Sequence, residues 1–219
     1  MIKLDILSDP ICPWCFIGKT WLDRALEKRA EHPFVIEWQP FQLNPTMPPE
    51  GMDRRAYLET KFGTKAEAAR VYAQIDAAAR AAGIEINFEA IRRTPNTLDA
   101  HRLILWAGVE GCQNAVVSAL FRGFFLNGRD IGKTDDLCAI AQDCGMDGTL
   151  VGRLLAGDTD RDEIIARDRQ AREMGVRAVP TFILGGEAVV PGSQKTAFWD
   201  EVISDILDTD TDPAAEARH

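Results

Sequence analysis

Residues 2–18 read IKLDILSDPICPWCFIG and place two cysteines directly after a short apolar segment. Its first residues are short, largely apolar and end at Asp9-Pro10, a pattern that predicts a buried strand. Over residues 13–29 apolar positions recur at helical spacing with charges between them, so a helix follows. The two cysteines of the stretch, Cys12 and Cys15, therefore stand where a strand passes into a helix.

Further segments complete the strand pattern. Residues 34–41 alternate in polarity and are rich in strand-forming residues, so the chain opens with a strand, a helix and a strand. Near the C-terminus, residues 181–184 and 187–190 flank Gly185-Gly186, which predicts a tight hairpin. Ser193 is in position to cap a last helix after this hairpin.

Between these segments the chain is rich in alanine and predicts helices rather than strands. A capping box begins at Thr64, and further helices are expected over residues 97–110 and 114–126. A second capping box at Asp160 predicts one more helix, which ends near Gly175.

The order of elements is thus strand, helix, strand, helical block, helix, strand, strand, helix. We interpret this order as an α/β thioredoxin fold (βαβ…αββα) with a large all-helical insertion. The expected division is a thioredoxin-like domain over residues 1–44 and 158–208, a helical insertion domain over 45–157 and a flexible tail over 209–219.

The composition of the 219-residue chain excludes several functions. Hydrophobic residues make up 46% and charged residues 27%, which is the balance of a folded globular protein. The 25 Lys and Arg against 34 Asp and Glu give a net charge of -9, so neither nucleic acid nor a membrane surface is an expected partner. No apolar run approaches the roughly 18 residues of a membrane helix and no signal peptide is visible, so we expect a cytoplasmic protein.

The motif Cys12-Pro13-Trp14-Cys15 is the strongest chemical signal. Two thiols separated by two residues at the start of a helix can close a small disulfide ring. The free amide groups and the dipole of the helix stabilise a thiolate at Cys12, which is the expected nucleophile, while Cys15 is expected to resolve the mixed disulfide. Pro13 suits the first helical turn, where its missing N–H is not needed.

Two other interpretations of this cysteine pair are a zinc half-site and an inert buried pair. Zinc normally takes four ligands, and no second C-x-x-C or nearby C-x-x-H completes a site, so we expect no metal. An inert pair is disfavoured because the strand and the helix start deliver Cys12 to the sheet edge where ligands usually bind.

Val179-Pro180-Thr181 is the second signal, because Pro180 stands just ahead of a segment that otherwise resembles an internal strand. Two explanations are open. An ordinary trans proline is favoured when the position is taken alone. A cis peptide bond would leave the backbone of Val179 free to pair with an extended substrate beside the dithiol.

Together these residues resemble the DsbA family of thiol:disulfide oxidoreductases, and more closely its cytoplasmic FrnE-like branch. The resemblance covers nearly the whole chain. The matching stretches are Ser8-Asp9-Pro10-Ile11-Cys12-Pro13-Trp14-Cys15-Phe16-Ile17-Gly18, Phe41-Gln42-Leu43-Asn44-Pro45, Asn96-Thr97, Ala100-His101-Arg102-Leu103 and Gly175-Val176-Arg177-Ala178-Val179-Pro180-Thr181-Phe182. The resemblance implies a protein disulfide oxidoreductase with Pro180 in cis facing the Cys12 thiol. It further implies no tightly bound cofactor, and a disulfide-containing protein or small-molecule thiol as substrate.

The same branch is related to 2-hydroxychromene-2-carboxylate isomerases and kappa-class glutathione transferases. A glutathione-dependent isomerase or transferase is therefore the alternative, with glutathione as cosubstrate rather than redox partner. Asn44, Val179, Ser193 and Gln194 fall in segments that could line its pocket, and a helix N-terminus at Ser193 would face a carboxylate. Those relatives place a serine where this chain has Cys12, so the intact dithiol favours redox chemistry. Relatives of this type often form dimers, and a homodimer is the corresponding expectation.

Several positions bear on how such a site would work. Trp14 could offer an exposed face to substrate, and it stands where many DsbA proteins have a histidine. The thiolate then has less electrostatic support, so we expect a more reducing potential than that of a periplasmic DsbA. Thioredoxin relatives bury an acid where this chain has Ile6, which leaves the proton acceptor of the second thiol open. The resemblance also places Asn96 and His101 near the site, His101 as a polar wall residue or proton shuttle.

Overall fold

The computed structural model describes residues 1–29 and 31–211. Its elements follow in the order β1 (Ile2–Ser8), α1 (Pro13–Glu27), β2 (Phe34–Pro40), β3 (Met52–Asp53), α2 (Arg54–Phe62), α3 (Lys65–Ala81), β4 (Arg93–Thr94), α4 (Leu98–Val109), α5 (Gln113–Phe125), α6 (Thr134–Asp143), α7 (Gly148–Leu155), α8 (Arg161–Glu173), β5 (Thr181–Leu184), β6 (Ala188–Pro191) and α9 (Thr196–Thr211).

A four-stranded sheet in the order β2-β1-β5-β6 forms the centre. Strand β1 pairs in parallel with β2, where Ile6 lies beside Trp38, and antiparallel with β5, where Ile6 lies beside Phe182. Ile6 and Phe182 are fully buried because helices cover the central strands. The βαβ half and the ββα half thus meet along β1, and the predicted α/β thioredoxin fold is confirmed.

The segment between β2 and α8 is largely helical, as expected, but it is not all-helical. Strands β3 and β4 form a two-stranded antiparallel ribbon in which Met52 faces Thr94. Gly51 adopts a φ of +70°, and a Cβ there would stand 2.6 Å from the Thr94 carbonyl oxygen. A two-residue ladder is too short to leave a polarity pattern in the sequence, and helix α2 was not predicted either.

The two predicted capping boxes have different outcomes. Thr64 accepts a hydrogen bond from the Glu67 amide at 3.2 Å, which confirms it as the N-cap, but the Glu67 carboxylate accepts from the Thr64 hydroxyl at 2.9 Å and not from its amide, which donates to the Phe62 carbonyl. At Asp160 the predicted helix is confirmed, since α8 begins directly after this residue, but the predicted box is absent because Asp160 has a left-handed φ of 58° and makes no side-chain capping bond. Its carboxylate instead accepts a hydrogen bond from the Trp106 indole at 2.8 Å.

The last helix differs from the prediction at both ends. It begins at Thr196, three residues beyond Ser193, so Ser193 is not its cap and offers no helix N-terminus to a carboxylate. The helix continues to Thr211, into the segment expected to be a flexible tail. The remainder of that tail, residues 212–219, lies outside the described residues.

Buried apolar residues of the sheet, α1 and the inserted helices form one continuous core. The division into a thioredoxin-like domain and an insertion domain therefore stays a prediction. Over residues 1–29 and 31–211, no helix is long and apolar enough to cross a membrane.

Candidate active site

Cys12 lies at the N-terminus of α1, where the chain leaves β1. Its amide donates to the Asp9 carbonyl at 2.9 Å, and its carbonyl accepts from the amides of Cys15 and Phe16 at 3.1 and 3.2 Å. The residue is 4% exposed, and its thiol donates to the Val179 carbonyl at 3.5 Å. The first turn of α1 carries no acidic side chain, so the positive end of the helix dipole is not neutralised beside the sulfur.

The segment opposite Cys12 is held tightly against α1. The Val179–Pro180 peptide bond is cis, and Pro180 is buried. A Cβ at Gly18 would lie 3.2 Å from Pro180 and 3.2 Å from Ser193, so a glycine is needed where the helix meets these two residues. Ser193 thus lies beside Pro180, although it does not cap α9.

Cys15 lies one turn further along α1 and is almost fully buried, with 1% exposed. Burial is the main reason why its pKa is raised well above that of a free thiol, and the neighbouring Cys12 raises it further. Hydrogen bonds from the Ser8 hydroxyl and the Asp9 amide favour the thiolate and act in the opposite direction. Both motif cysteines are free thiols, so this geometry is that of the reduced pair.

Asp9 anchors the loop that presents the two thiols. Its carboxylate accepts hydrogen bonds from the amides of Leu43 at 2.6 Å and Ile11 at 3.2 Å, and it is bonded to the Thr97 side chain. Complete burial raises its pKa to about 7 despite these donors, and the nearby Asp168 adds to the rise. The motif loop is therefore tied to the loop after β2 and to the start of α4.

His101 lies on α4 and is buried, with 2% exposed. Burial lowers its pKa to about 4, although Asp168 and a hydrogen bond with the Phe41 backbone act in the opposite direction. Its Nε2 atom has no hydrogen-bond partner in the described part of the chain. His101 is a neutral imidazole in the interior, not a residue on the wall of an open cleft.

The other predicted site residues fall into two groups. Pro13 begins α1 and Trp14 is half-buried beside it, so these two adjoin the dithiol. Asn44, Asn96 and Gln194 are engaged elsewhere. Asn44 accepts from the Tyr57 hydroxyl at 3.1 Å, the Asn96 amide donates to the Met47 carbonyl at 2.7 Å, and the Gln194 amide donates to the Pro191 carbonyl at 2.8 Å.

The profile of the DSBA-like thioredoxin domain matches residues 3–204. The chain belongs to the DSBA-like thioredoxin domain family. A curated relative is the uncharacterised protein YwbO of Bacillus subtilis, which is 28% identical over 210 residues and covers 93% of this chain and 96% of YwbO. The family expected from the motifs is thereby confirmed.

Solved structures share the fold of this DSBA-like domain. A probable DsbA oxidoreductase from Streptomyces coelicolor superposes with a TM-score of 0.81 at 27% identity, covering 95% of this chain and 91% of that one. The cytosolic disulfide reductase DsbM of Pseudomonas aeruginosa, in a structure with glutathione, superposes with a TM-score of 0.69 at 16% identity and covers 94% and 99%.

Reasoning from the sequence missed several polar residues of this DSBA-like domain that surround the thiols. Ser8 and Asp9 were noted only as part of the matching stretch, although both touch the Cys15 sulfur. Their position at the end of a buried strand, directly before the motif, was the available signal. Asp168 had no such signal, because its approach to His101 and Asp9 depends on how α8 packs against the sheet.

Proposed function

We propose that the protein is a thiol:disulfide oxidoreductase in which Cys12 attacks a substrate disulfide and Cys15 resolves the product. The observation that carries the proposal is the asymmetry of the pair. Cys12 lies at the N-terminal, positive end of the α1 dipole, and its thiol donates to the Val179 carbonyl. Cys15 lies one turn further along α1 and is almost fully buried. Only the first thiol is placed to meet a substrate, and only the second to attack it from within.

The chemistry consists of two exchanges. The Cys12 thiolate attacks one sulfur of the substrate disulfide, which forms a mixed disulfide and releases the other sulfur as a thiolate. Cys15 then loses its proton and attacks the Cys12 sulfur. This step closes the Cys12–Cys15 disulfide and releases the second substrate thiolate, which takes up a proton. The reverse sequence oxidises a dithiol substrate.

Glutathione is the redox partner that we propose for this cycle, acting in the cytoplasm. DsbM, which has the same fold, is described as cytosolic and as a disulfide reductase, and its structure contains glutathione. No tightly bound cofactor is needed, because the two thiols hold the electrons that are exchanged. A protein disulfide or a small-molecule disulfide would serve as substrate.

The test is reduction of a protein disulfide, such as the interchain bonds of insulin, with glutathione as reductant. We expect Cys12→Ser to abolish the catalysed reduction, and Cys15→Ser to accumulate a mixed disulfide with the substrate. Cys112→Ser is the matched control, because Cys112 is a half-buried thiol outside the motif, and it should retain the wild-type rate. Retained activity in Cys12→Ser would overturn the proposal.

A glutathione-dependent isomerase or transferase remains the alternative, and the same variants distinguish it from a thiol:disulfide oxidoreductase. It requires saturable glutathione binding that survives Cys15→Ser together with no dithiol transition. Asn96 and Gln194 donate to backbone carbonyls of neighbouring segments, so their geometry does not favour a dedicated glutathione pocket, whereas the buried Asn44 Nδ2 has no partner among the described residues and is the donor that such a pocket would use.

A further inference from the structure

A small cavity lies beside Ser8, between the sheet and helices α4 and α5. It has a volume of about 10 Å³, which is close to the space that one water molecule requires. Its apolar wall includes Trp38, Ile104, Val117 and Phe121. Ser8, His101 and Gln39 also line it, and the Gln39 amide is engaged with the Asp5 carboxylate, so Ser8 and His101 are the polar side chains that remain for the cavity. A cavity of this size is wet only when polar groups can bond the water.

His101 supplies an acceptor on one side of the cavity. Its bond with the Phe41 backbone engages one ring nitrogen, and Nε2 is the nitrogen left without a partner among the described residues. Because a backbone carbonyl can only accept, Nδ1 carries the proton and Nε2 of the neutral ring offers a lone pair. A buried acceptor without a partner is unfavourable, so a donor is needed at this atom.

Ser8 connects the cavity to the second thiol. It is the last residue of β1, it is 5% exposed, and its side chain lies near Cys15 and lowers the pKa of that thiol. The same side chain lines the cavity. A hydroxyl has one proton to donate and two lone pairs that accept, so Ser8 can donate to the sulfur while it accepts from a group in the cavity.

We propose that this cavity binds one water molecule, which donates to Nε2 of His101 and to the hydroxyl oxygen of Ser8 and thereby directs the Ser8 proton at Cys15. The inference deepens the proposed function, on which it rests. The bonds from water to Ser8 and from Ser8 to Cys15 both point toward the sulfur and stabilise the Cys15 thiolate at the moment when it attacks the mixed disulfide, while the bond to His101 holds the water in this orientation. Ser8 and His101 are then positioning residues for the resolving step.

Asp9 is the other buried group close to Cys15, but its carboxylate is occupied. The amides of Ile11 and Leu43 and the side chain of Thr97 all donate to it. Its own amide is the part that reaches the Cys15 sulfur. Asp9 therefore holds the loop in place, while the chain through Ser8 and His101 is free to respond to the charge on the sulfur.

The test uses the two-step reaction of the reduced protein with a symmetric aromatic disulfide whose thiolate is coloured. Cys112, Cys138 and Cys144 are replaced by alanine so that only the motif reacts. The first release of coloured thiolate reports the attack by Cys12, and the second reports resolution by Cys15. Both rates are measured in one stopped-flow trace as a function of pH.

We expect Ser8→Ala to slow the second phase and leave the first nearly unchanged. A smaller thiolate fraction is partly offset by a more nucleophilic sulfur, so the second phase should slow by about threefold to tenfold. His101→Phe, which removes the acceptor and fills the cavity, should slow the same phase, and its pH midpoint should move to higher pH. His101→Gln, which keeps an acceptor, should restore part of the rate.

Ile104→Val is the matched control, because it changes the cavity wall without removing a polar group, and it should leave both phases unchanged. A second phase that is unaffected by Ser8→Ala and His101→Phe would overturn the inference. The same conclusion holds if both phases slow equally, since that result indicates general damage to the fold. If the protein with unaltered Ser8 and His101 shows no second phase at all, the proposed function itself fails.

Discussion

The thiol of Cys12 and the carbonyl oxygen of Val179 lie 3.5 Å apart, although 167 positions separate them in the sequence. The contact joins the start of α1 to the residue before Pro180. A thiol is a weak donor, so a substrate can displace this bond at little cost and take its place beside the Val179 backbone.

The Trp14 position should control the redox potential of the motif. Since Trp14 brings no charge to the first turn of α1, we expect a potential between about -180 and -270 mV, more reducing than the roughly -120 mV of a periplasmic DsbA. Trp14→His should stabilise the thiolate and raise the potential by about 30 mV or more. Equilibration in graded glutathione buffers, followed by fluorescence or alkylation, measures both values.

Trp14→Phe is the control for this prediction, because it removes the indole without adding a charge. Its potential should stay close to that of the wild type. A rise as large as that of Trp14→His would show that packing, rather than charge, sets the potential at this position.

Gly18→Ala should weaken the contact between α1 and the Pro180 segment. The added methyl group would lie 3.2 Å from both Pro180 and Ser193. Overpacking of this kind costs about 1 to 3 kcal/mol and exceeds the gain of about 1 kcal/mol from helix propensity. We expect a lower midpoint of urea unfolding and slower disulfide reduction. Gly123→Ala in α5, where a Cβ makes contacts of 3.5 Å or more, should not lower the midpoint.

Arg102 should be required for stability rather than for exchange. It is 1% exposed, and its guanidinium donates to the carbonyl oxygens of Leu154, Gly157 and Thr159 at 2.7 to 2.8 Å. The ammonium group of a lysine cannot reproduce the planar arrangement of donors that bonds these carbonyl oxygens. Arg102→Lys should therefore lower the free energy of unfolding by about 3 kcal/mol. The midpoint potential of the dithiol should not change.

Arg55→Lys, at an exposed ion pair with Glu59, is the control and should have little effect in urea unfolding.

The sequence was sufficient to predict features that depend on local patterns. The strand before the motif, the helix from Pro13, the hairpin after β5 and the N-cap at Thr64 each carry their own signal, although the hairpin loop has three residues, 185–187, where Gly185-Gly186 predicts two. Features that depend on distant partners were missed or wrong. Asp160 bonds Trp106 and makes no side-chain capping bond, and the Asn96 amide bonds the Met47 carbonyl, a partner that no local pattern indicates. A polar side chain near a helix start is the same in sequence whether its partner is local or remote.

Two buried groups near the dithiol should give opposite pH dependences of stability. Asp9 has a pKa of about 7 in the folded protein against an ordinary 3.8, so it binds a proton more readily when folded. Its contribution to stability is fully present below the unfolded value and is lost as the pH rises through 7. His101 has a folded pKa of about 4 against 6.5, so its contribution is present above 6.5 and is lost as the pH falls toward 4.

The two effects oppose each other between pH 4 and 7, and removing one of them should expose the other. In the His101→Gln variant, Asp9 is the one member of the pair that still titrates. The free energy of unfolding should therefore fall as the pH rises through this window. The wild-type curve should be flatter, because His101 adds about 3 kcal/mol of stability between pH 4 and 6.5. Urea unfolding of both proteins at half-unit steps of pH measures the difference. If the two curves run parallel, His101 is not held neutral by burial, and its ring does not offer the lone pair on which the water chain to Cys15 depends.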